Sequence, residues 1–273
     1  MTHIHTHRSV AFMLLSILLS LLLILLTGCN FMVHGRPDWS PNEPKVTTYA
    51  IPDPGEAAMR LGAISPFDRR GDIWFYDGFE DGLGKWEYNG AGSTGEHSVN
   101  SEHVKSGGWA FKVLTKGVAG GGGYAVRYIG YYKLSKSAVE CSFSFDHPDS
   151  LIRFGFTLGD NIHNYITGIR YDHANTKFEY LNSLNAWVDL ITDFRLPPNP
   201  DIFSTIKLVV DFPNEKYVRA IINEREIDMS DKGIYDTGFS GVKYMSGNIV
   251  CTNGDVADYE FYFDDYIITI NEP

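Results

Sequence analysis

The chain has 273 residues, of which 44% are hydrophobic and 14% aromatic, enough apolar material for a packed core. Its 23 basic and 34 acidic residues leave a net charge of −11, which excludes a nucleic-acid partner, because phosphate binding needs clustered Lys and Arg. With only three cysteines it is not a disulfide-held mini-domain, while 27 glycines interspersed among aromatic segments favour an all-β fold.

Residues 10–26 are almost wholly apolar, preceded by Arg8 and three histidines. A run of this length just spans a bilayer, and at an N-terminus it also reads as a secretory signal. The run ends in Leu26-Thr27-Gly28-Cys29, which resembles the lipobox of bacterial lipoproteins. That resemblance implies a signal peptide over 1–28, removed in the mature chain, and acylation of Cys29. It places the protein in the bacterial cell envelope, lipid-anchored and facing outside the cytoplasm, with the membrane as a partner. Two or three acyl chains are the regime of stable anchoring. An uncleaved anchor and a plain secretory signal are the alternatives. His3, His5 and His7 fall in the removed segment and receive no role.

Residues 29–72 hold Pro37, Pro41, Pro44, Pro52, Pro54 and Pro66 and read as a proline-rich spacer, partly extended. One domain then fills 73–273. Trp109–Leu114, Tyr124–Ile129, Ala138–Phe145, Ile152–Leu158, Tyr165–Tyr171, Lys177–Leu181, Ala186–Leu190, Ile206–Phe212 and Tyr217–Ile222 alternate as strands, with turns at Asp172–Asn175, Asn182–Asn185 and Asn223-Glu224. The last strand, Tyr262–Ile270, is aromatic and β-branched, and strict alternation places Asp264 on one face with Tyr262, Tyr266, Ile268 and Ile270. Far upstream, Glu80 is expected to share a face with Tyr76 and Trp74. Gly120–Gly123 opens no helix and reads as a flexible connection rather than a phosphate loop. Strands at this spacing, with such turns, predict a β-sandwich or barrel.

Gly78-Phe79-Glu80-Asp81-Gly82, Trp86, Ser106-Gly107-Gly108 and Phe263-Asp264-Asp265-Tyr266 are similar to the jelly-roll carbohydrate-binding modules of families 4, 9 and 22. The stretch Tyr165–Asp228, with Trp187 and Lys207–Phe212, looks like concanavalin A-like or laminin-G-like sandwiches, and both resemblances imply an antiparallel jelly-roll β-sandwich. The first resemblance implies a structural calcium ion joining the first and last strands at Glu80 and Asp264, with Asp77 and Asp265 as further candidates and carbonyls near Ser106 and Gly107. Two carboxylates on apolar faces also call for a cation on physical grounds, and their solvation at strand ends is the competing reading. Glu226-Ile227-Asp228-Met229-Ser230-Asp231 is similar to the Glu-x-Asp-x-x-Glu of family 16 glycoside hydrolases, but Asp231 replaces the last Glu, and a polar strand edge is the competing reading. Cys141 and Cys251 form either a disulfide or two buried thiols.

Sugars stack on aromatic rings and take hydrogen bonds from Asn, Arg and Tyr. Trp187, Tyr180, Asn182, Asn185 and Arg170 concentrate that chemistry and are the expected ligand-binding residues. The function expected is a non-catalytic, carbohydrate-binding lipoprotein. A structural or protein-interaction lipoprotein is the alternative, and a glycoside hydrolase of concanavalin A-like fold is a third.

Overall fold

Period-two alternation of apolar residues, broken by glycine- and asparagine-rich turns, carries through from residue 72 to the C-terminus as strands. The structure, a computed structural model, describes residues 70–89, 95–117, 121–130, 133–239, 241–254 and 257–273. The apolar leader, Cys29 and the spacer up to residue 69 lie outside the described residues. In chain order the strands begin with β1 (Asp72–Asp77), β2 (Glu87–Asn89), β3 (Glu96–Asn100), β4 (Ala110–Thr115), β5 (Gly122–Ile129) and β6 (Lys136–Phe145). β7 (Ser150–Asp160), β8 (Asn164–Ile166), β9 (Ile169–Asp172), β10 (Lys177–Leu181), β11 (Trp187–Ile191) and β12 (Ser204–Asp211) follow. The last are β13 (Lys216–Ile222), β14 (Arg225–Asp228), β15 (Tyr235–Asp236), β16 (Lys243–Asn253) and β17 (Tyr259–Ile270).

They build two antiparallel sheets. One runs β14-β13-β12-β6-β17-β4-β3, with β1 also on β17; the other runs β11-β10-β9-β7-β16-β5-β2, with β8 on β7 and β15 on β8. The chain passes between sheets repeatedly, among other places from β4 to β5, β5 to β6, β6 to β7, β11 to β12 and β16 to β17, the connectivity of a jelly-roll sandwich. The first and last strands are neighbours, Asp72 opposite Ile270. Between the sheets lies an aromatic core in which Phe143 sits 5.2 Å from Phe154, Phe79 5.5 Å from Phe111, and Phe154 6.0 Å from Phe263. Burial of rings this large supplies most of the drive to pair strands so distant in sequence.

Local departures from alternation decide several placements. β17 carries a bulge between Asp264 and Ile267 in its pairing with β6, and Asp265 has φ 47°. The extra residue shifts the parity. Phe261, Phe263, Tyr266 and Ile268 face the core, and Tyr262 lies on the other face with Lys112 near its ring. Asp264 therefore does not share a face with Tyr266, Ile268 and Ile270. Glu80 is not on the first strand at all; it lies in the turn after β1, where Phe79 takes φ 60° and drives its ring into the core. The expected strand over 165–171 is two strands, parted at Thr167-Gly168, because Thr167 Oγ1 takes the Phe156 amide and the Gly168 amide donates to Tyr217 Oη. Gly122 and Gly123 belong to a strand rather than a flexible connection: a Cβ at Gly122 would lie 2.1 Å from the Cys251 carbonyl oxygen. Cys141 and Cys251 are buried free thiols on strands of different sheets.

Candidate functional site

Alternation assigns the outer face of the nine-stranded sheet. On β7, Ile152, Phe154 and Phe156 enter the core, so Arg153 and Thr157 point outward. Register then aligns Arg153 with Val250 of β16 and Arg170 of β9, and Asn248 of β16 with Val126 of β5. Tyr124, Tyr128 and Tyr244 flank this central strip. Val126, Ser246 and Asn248 are only 4%, 2% and 3% exposed although they face away from the core, whereas Tyr128 is 49% exposed. The strip is thus a furrow with a polar floor and aromatic sides. Its floor is hydrogen-bonded: Tyr124 Oη donates to Asn248 Oδ1 at 3.1 Å, and Asn248 Nδ2 donates to Thr157 Oγ1 at 3.2 Å. Tyr128 and Tyr244 lie 6.3 Å apart, and Tyr244 Oη donates to Asn164 Oδ1. Burial, then neighbouring Tyr128, raises the Tyr124 phenol above its ordinary range, so it is a neutral donor near pH 7.

Trp187 stands at one end of the furrow, half-buried. Its ring is covered by two guanidinium groups, Arg170 at 4.5 Å and Arg153 at 5.2 Å from the centroid. Gly168 leaves the room for this, since a Cβ there would meet Trp187 Cη2 at 3.1 Å and Arg153 Nε at 3.3 Å. Arg170 Nε also donates to Glu179 Oε2 at 2.5 Å, and Lys177 Nζ bridges Glu179 and Asp189 at 3.0 and 2.7 Å. Burial pulls the Arg153 guanidinium below its usual value.

Of the residues singled out in the sequence, the structure brings Trp187 and Arg170 together. It sends Tyr180 to the opposite side of the same sheet, edge-on to Tyr217 at 5.8 Å with Lys232 Nζ over its ring. Asn182 holds the β10–β11 turn, its Oδ1 accepting from the Leu184 and Ala186 amides. Asn185 supplies the left-handed position of that turn at φ 59°. Arg153, Tyr124, Tyr128, Tyr244, Asn248 and Thr157 were missed. Their outward parity is legible in each strand, but that β16 lies between β7 and β5 is not, because those pairings join residues about 90 to 120 positions apart.

A second cluster forms where β4 and β1 share one edge of β17. β4 pairs up to Phe263 and β1 from Tyr266, so the Asp264–Asp265 bulge faces the gap between them. Asp264 Oδ2 accepts from the Lys105 and Ser106 amides, both at 2.9 Å. Glu80 Oε1 accepts from the Gly108 and Trp109 amides. Asp265 Oδ1 accepts from Tyr76 Oη and Ser106 Oγ, while its buried Oδ2 has no hydrogen-bond partner and lies 3.8 Å from Lys105 Nζ. Burial, then Asp265, pushes the Asp264 carboxyl up to about 6. Asp77 is turned to its own loop, accepting from the Phe79 amide, Lys85 Nζ and Trp86 Nε1. Near Ser106 it is amides, not carbonyls, that meet the carboxylates. Among the described residues no three His, Cys, Asp or Glu side chains converge to hold a metal by themselves.

The family 16-like stretch lies on the edge strand β14 and the turn after it. Glu226 pairs with Arg70, Asp228 Oδ1 accepts from the Ser230 amide, and Asp231 pairs with Lys232. Each carboxylate has a local structural partner.

No family model and no curated protein matches the chain. Solved structures do. An endo-β-1,4-glucuronan lyase from the fungus Trichoderma reesei superposes with a TM-score of 0.52 at 13% identity, over 73% of this chain and 96% of the lyase. A sialidase gives 0.50 at 11% identity, over 74% of this chain but only 19% of its own. Lectin I-B4 from Griffonia simplicifolia gives 0.44 at 11% identity, over 71% of this chain and 98% of the lectin. At such identities the likeness is one of fold alone, an antiparallel β-sandwich.

Proposed function

We propose that this protein is a non-catalytic glycan-binding lipoprotein and that its sugar platform is the outer face of the nine-stranded sheet. The observation that carries the reading is the furrow itself, where Tyr124, Tyr128 and Tyr244 rise beside the buried Ser246 and Asn248 and the partly exposed Thr157. Flat aromatic faces match sugar C–H faces, and a fixed amide and hydroxyl orient the ring by hydrogen bonds. A glycan array probed with the full chain should give a defined set of hits that Tyr128→Ala weakens at an unchanged melting temperature. Hits that survive Tyr128→Ala and Asn248→Ala alike would move the site off this face. No hits at all would favour a structural or protein-interaction lipoprotein.

Anchoring rests on Leu26-Thr27-Gly28-Cys29 closing the apolar run. Processing at this motif gives a mature chain that starts at an acylated Cys29, and Cys29→Ser leaves an unprocessed, non-acylated precursor. A mature N-terminus at any other residue, read by mass spectrometry, overturns it.

A calcium ion is proposed at the Asp264–Asp265 bulge. Asp264 and Asp265 stand there beside Lys105, Glu80 is held by the nearby Gly108 and Trp109 amides, and the buried Asp265 Oδ2 accepts no hydrogen bond. The donor set fits a hard cation in charge. Asp265 and Glu80 would hold it, water would complete the shell, and the ion would tie the β1 turn and the 105–109 loop to the last strand.

A further inference from the structure

The ion pairs on the outer face of the nine-stranded sheet do not balance. Arg170 and Lys177, two cations, are matched by Glu179 and Asp189, two anions. Arg153 is left over. Among the described residues no carboxylate lies within ion-pair distance of it, and its buried Nε has no hydrogen-bond partner. The groups that act on it electrostatically are Tyr124 and Tyr217, which are neutral at pH 7, and Arg170, a like charge. A half-buried guanidinium without a counterion is costly in a fold that could have used an apolar residue there. It is costlier still to hold it beside another cation. Yet Arg153 is seated closely, its Cζ 5.2 Å from the Trp187 ring centroid and its Nε beside Gly168, where an added Cβ would lie 3.3 Å from it. It is next to the furrow, opposite Val250 and two residue pairs from Asn248 and Gly155.

We propose that Arg153 receives the carboxylate of a uronic acid residue, so that the glycan bound on this face is a polyuronate. This inference rests on the glycan-binding reading of the same face and names its ligand class. A guanidinium fork meets a carboxylate in two parallel hydrogen bonds, which a neutral sugar cannot offer. The carboxylate completes the ion-pair count of the face. Trp187 is then a positioning residue: its ring fixes the guanidinium rather than stacking on the sugar, and the tyrosines carry the stacking. The overall charge of −11 works against loose attraction of polyanions, so any that bind do so through a local, built cation.

The test is calorimetric titration of the full chain, in 150 mM salt, with alginate, polygalacturonate and polyglucuronate, each beside its carboxyl-reduced neutral counterpart, and with dextran sulfate. The expected result is binding to at least one polyuronate, loss of at least tenfold in affinity on carboxyl reduction, and a similar loss in Arg153→Gln. The carboxyl-reduction arm uses the unaltered chain and so decides the matter even where Arg153→Gln fails to fold. Equal binding of the reduced polymer overturns the inference while leaving a glycan-binding face in place. Dextran sulfate bound as tightly, with the same dependence on Arg153, overturns carboxylate recognition in favour of general anion capture. Binding confined to neutral glycans of the array overturns it as well, and binding to no glycan removes the underlying reading too.

Discussion

Tyr266 shows how closely the two sheets meet. Its ring packs edge-on against Trp86 at 4.8 Å, and its Oη reaches across the core to β16 without finding a hydrogen-bond partner. An added Cβ at Gly247 would lie 2.1 Å from that oxygen. Gly247→Ala is therefore an overpacking change and should cost about 1–3 kcal/mol in urea unfolding. Tyr266→Phe removes an unsatisfied buried hydroxyl and should be near neutral or stabilising. The double variant should recover most of the loss, as expected for residues that share one space. Additive effects of the two changes would mean that the hydroxyl is not what meets the alanine. Neither partner was legible beforehand. Tyr266 reads as core from its β-rich surroundings, but a glycine inside Lys243–Asn253 gives no hint of which ring approaches it until the sheets are stacked.

At the scale of elements, the end of β17 is fixed by charge buried on the outer face of the eight-stranded sheet. Lys207 of β12 and Arg219 of β13 converge on Glu272, at 2.8 and 2.6 Å, and Glu140 of β6 stands opposite Lys207 with its carboxylate 3.6 Å away. Thr269 Oγ1 donates to the same Glu272 carboxylate, and Gly71, at φ 83°, passes where a Cβ would come within 2.4 Å of it. Two cations and two carboxylates thus meet Arg70 and Gly71, the residues just before β1, with Lys207 Nζ donating to the Arg70 carbonyl. Glu272→Gln removes the carboxylate that both cations share and should cost about 3–5 kcal/mol, as when one partner of a buried ion pair is deleted. Conversion of the C-terminal three residues to a mobile tail, seen by amide exchange, should accompany it. A loss below the scatter of surface substitutions, about 0.5 kcal/mol, would show the cluster to be solvated. Elements were where the sequence was most legible: alternation marks most strands of the central region to within a few residues, and it brings out the sandwich. Alternation failed at Asp265 and at Thr167-Gly168, where an inserted residue or a hydrogen-bonded break resets the face, and those are the two places that shape a candidate site. A bulge has no period of its own, so strict parity carried Asp264 to the wrong side.

At the scale of the whole molecule, the jelly roll places its first and last strands side by side and must close the seam between them. β1 and β4 both pair with β17 on one edge, and neither covers Asp264 and Asp265. That gap gathers Glu80 from the β1 turn, Lys105 and Ser106 from the loop before β4, and the bulge itself. Amides satisfy Glu80 and Asp264, but three carboxylates against one ammonium leave negative charge to be offset. Burial lowers the pKa of Lys105, so the one ammonium present is itself held at a cost. A divalent ion that binds only the folded chain stabilises it by RT ln(1 + [L]/Kd), about 2.7 kcal/mol at a hundred times Kd. For a domain of this size that is a rise of roughly 5–10 °C in melting temperature. Calcium added to protein stripped with EDTA should produce the rise, magnesium should produce less because it demands a tighter octahedral shell, and Asp265→Asn should abolish most of it. Lys105→Ala should enlarge the calcium effect, since it removes the cation that competes for Asp265 Oδ2. A metal-free protein whose melting curve does not move on adding calcium, in the unaltered chain and in Lys105→Ala alike, would instead assign the seam to Lys105 and the loop amides alone.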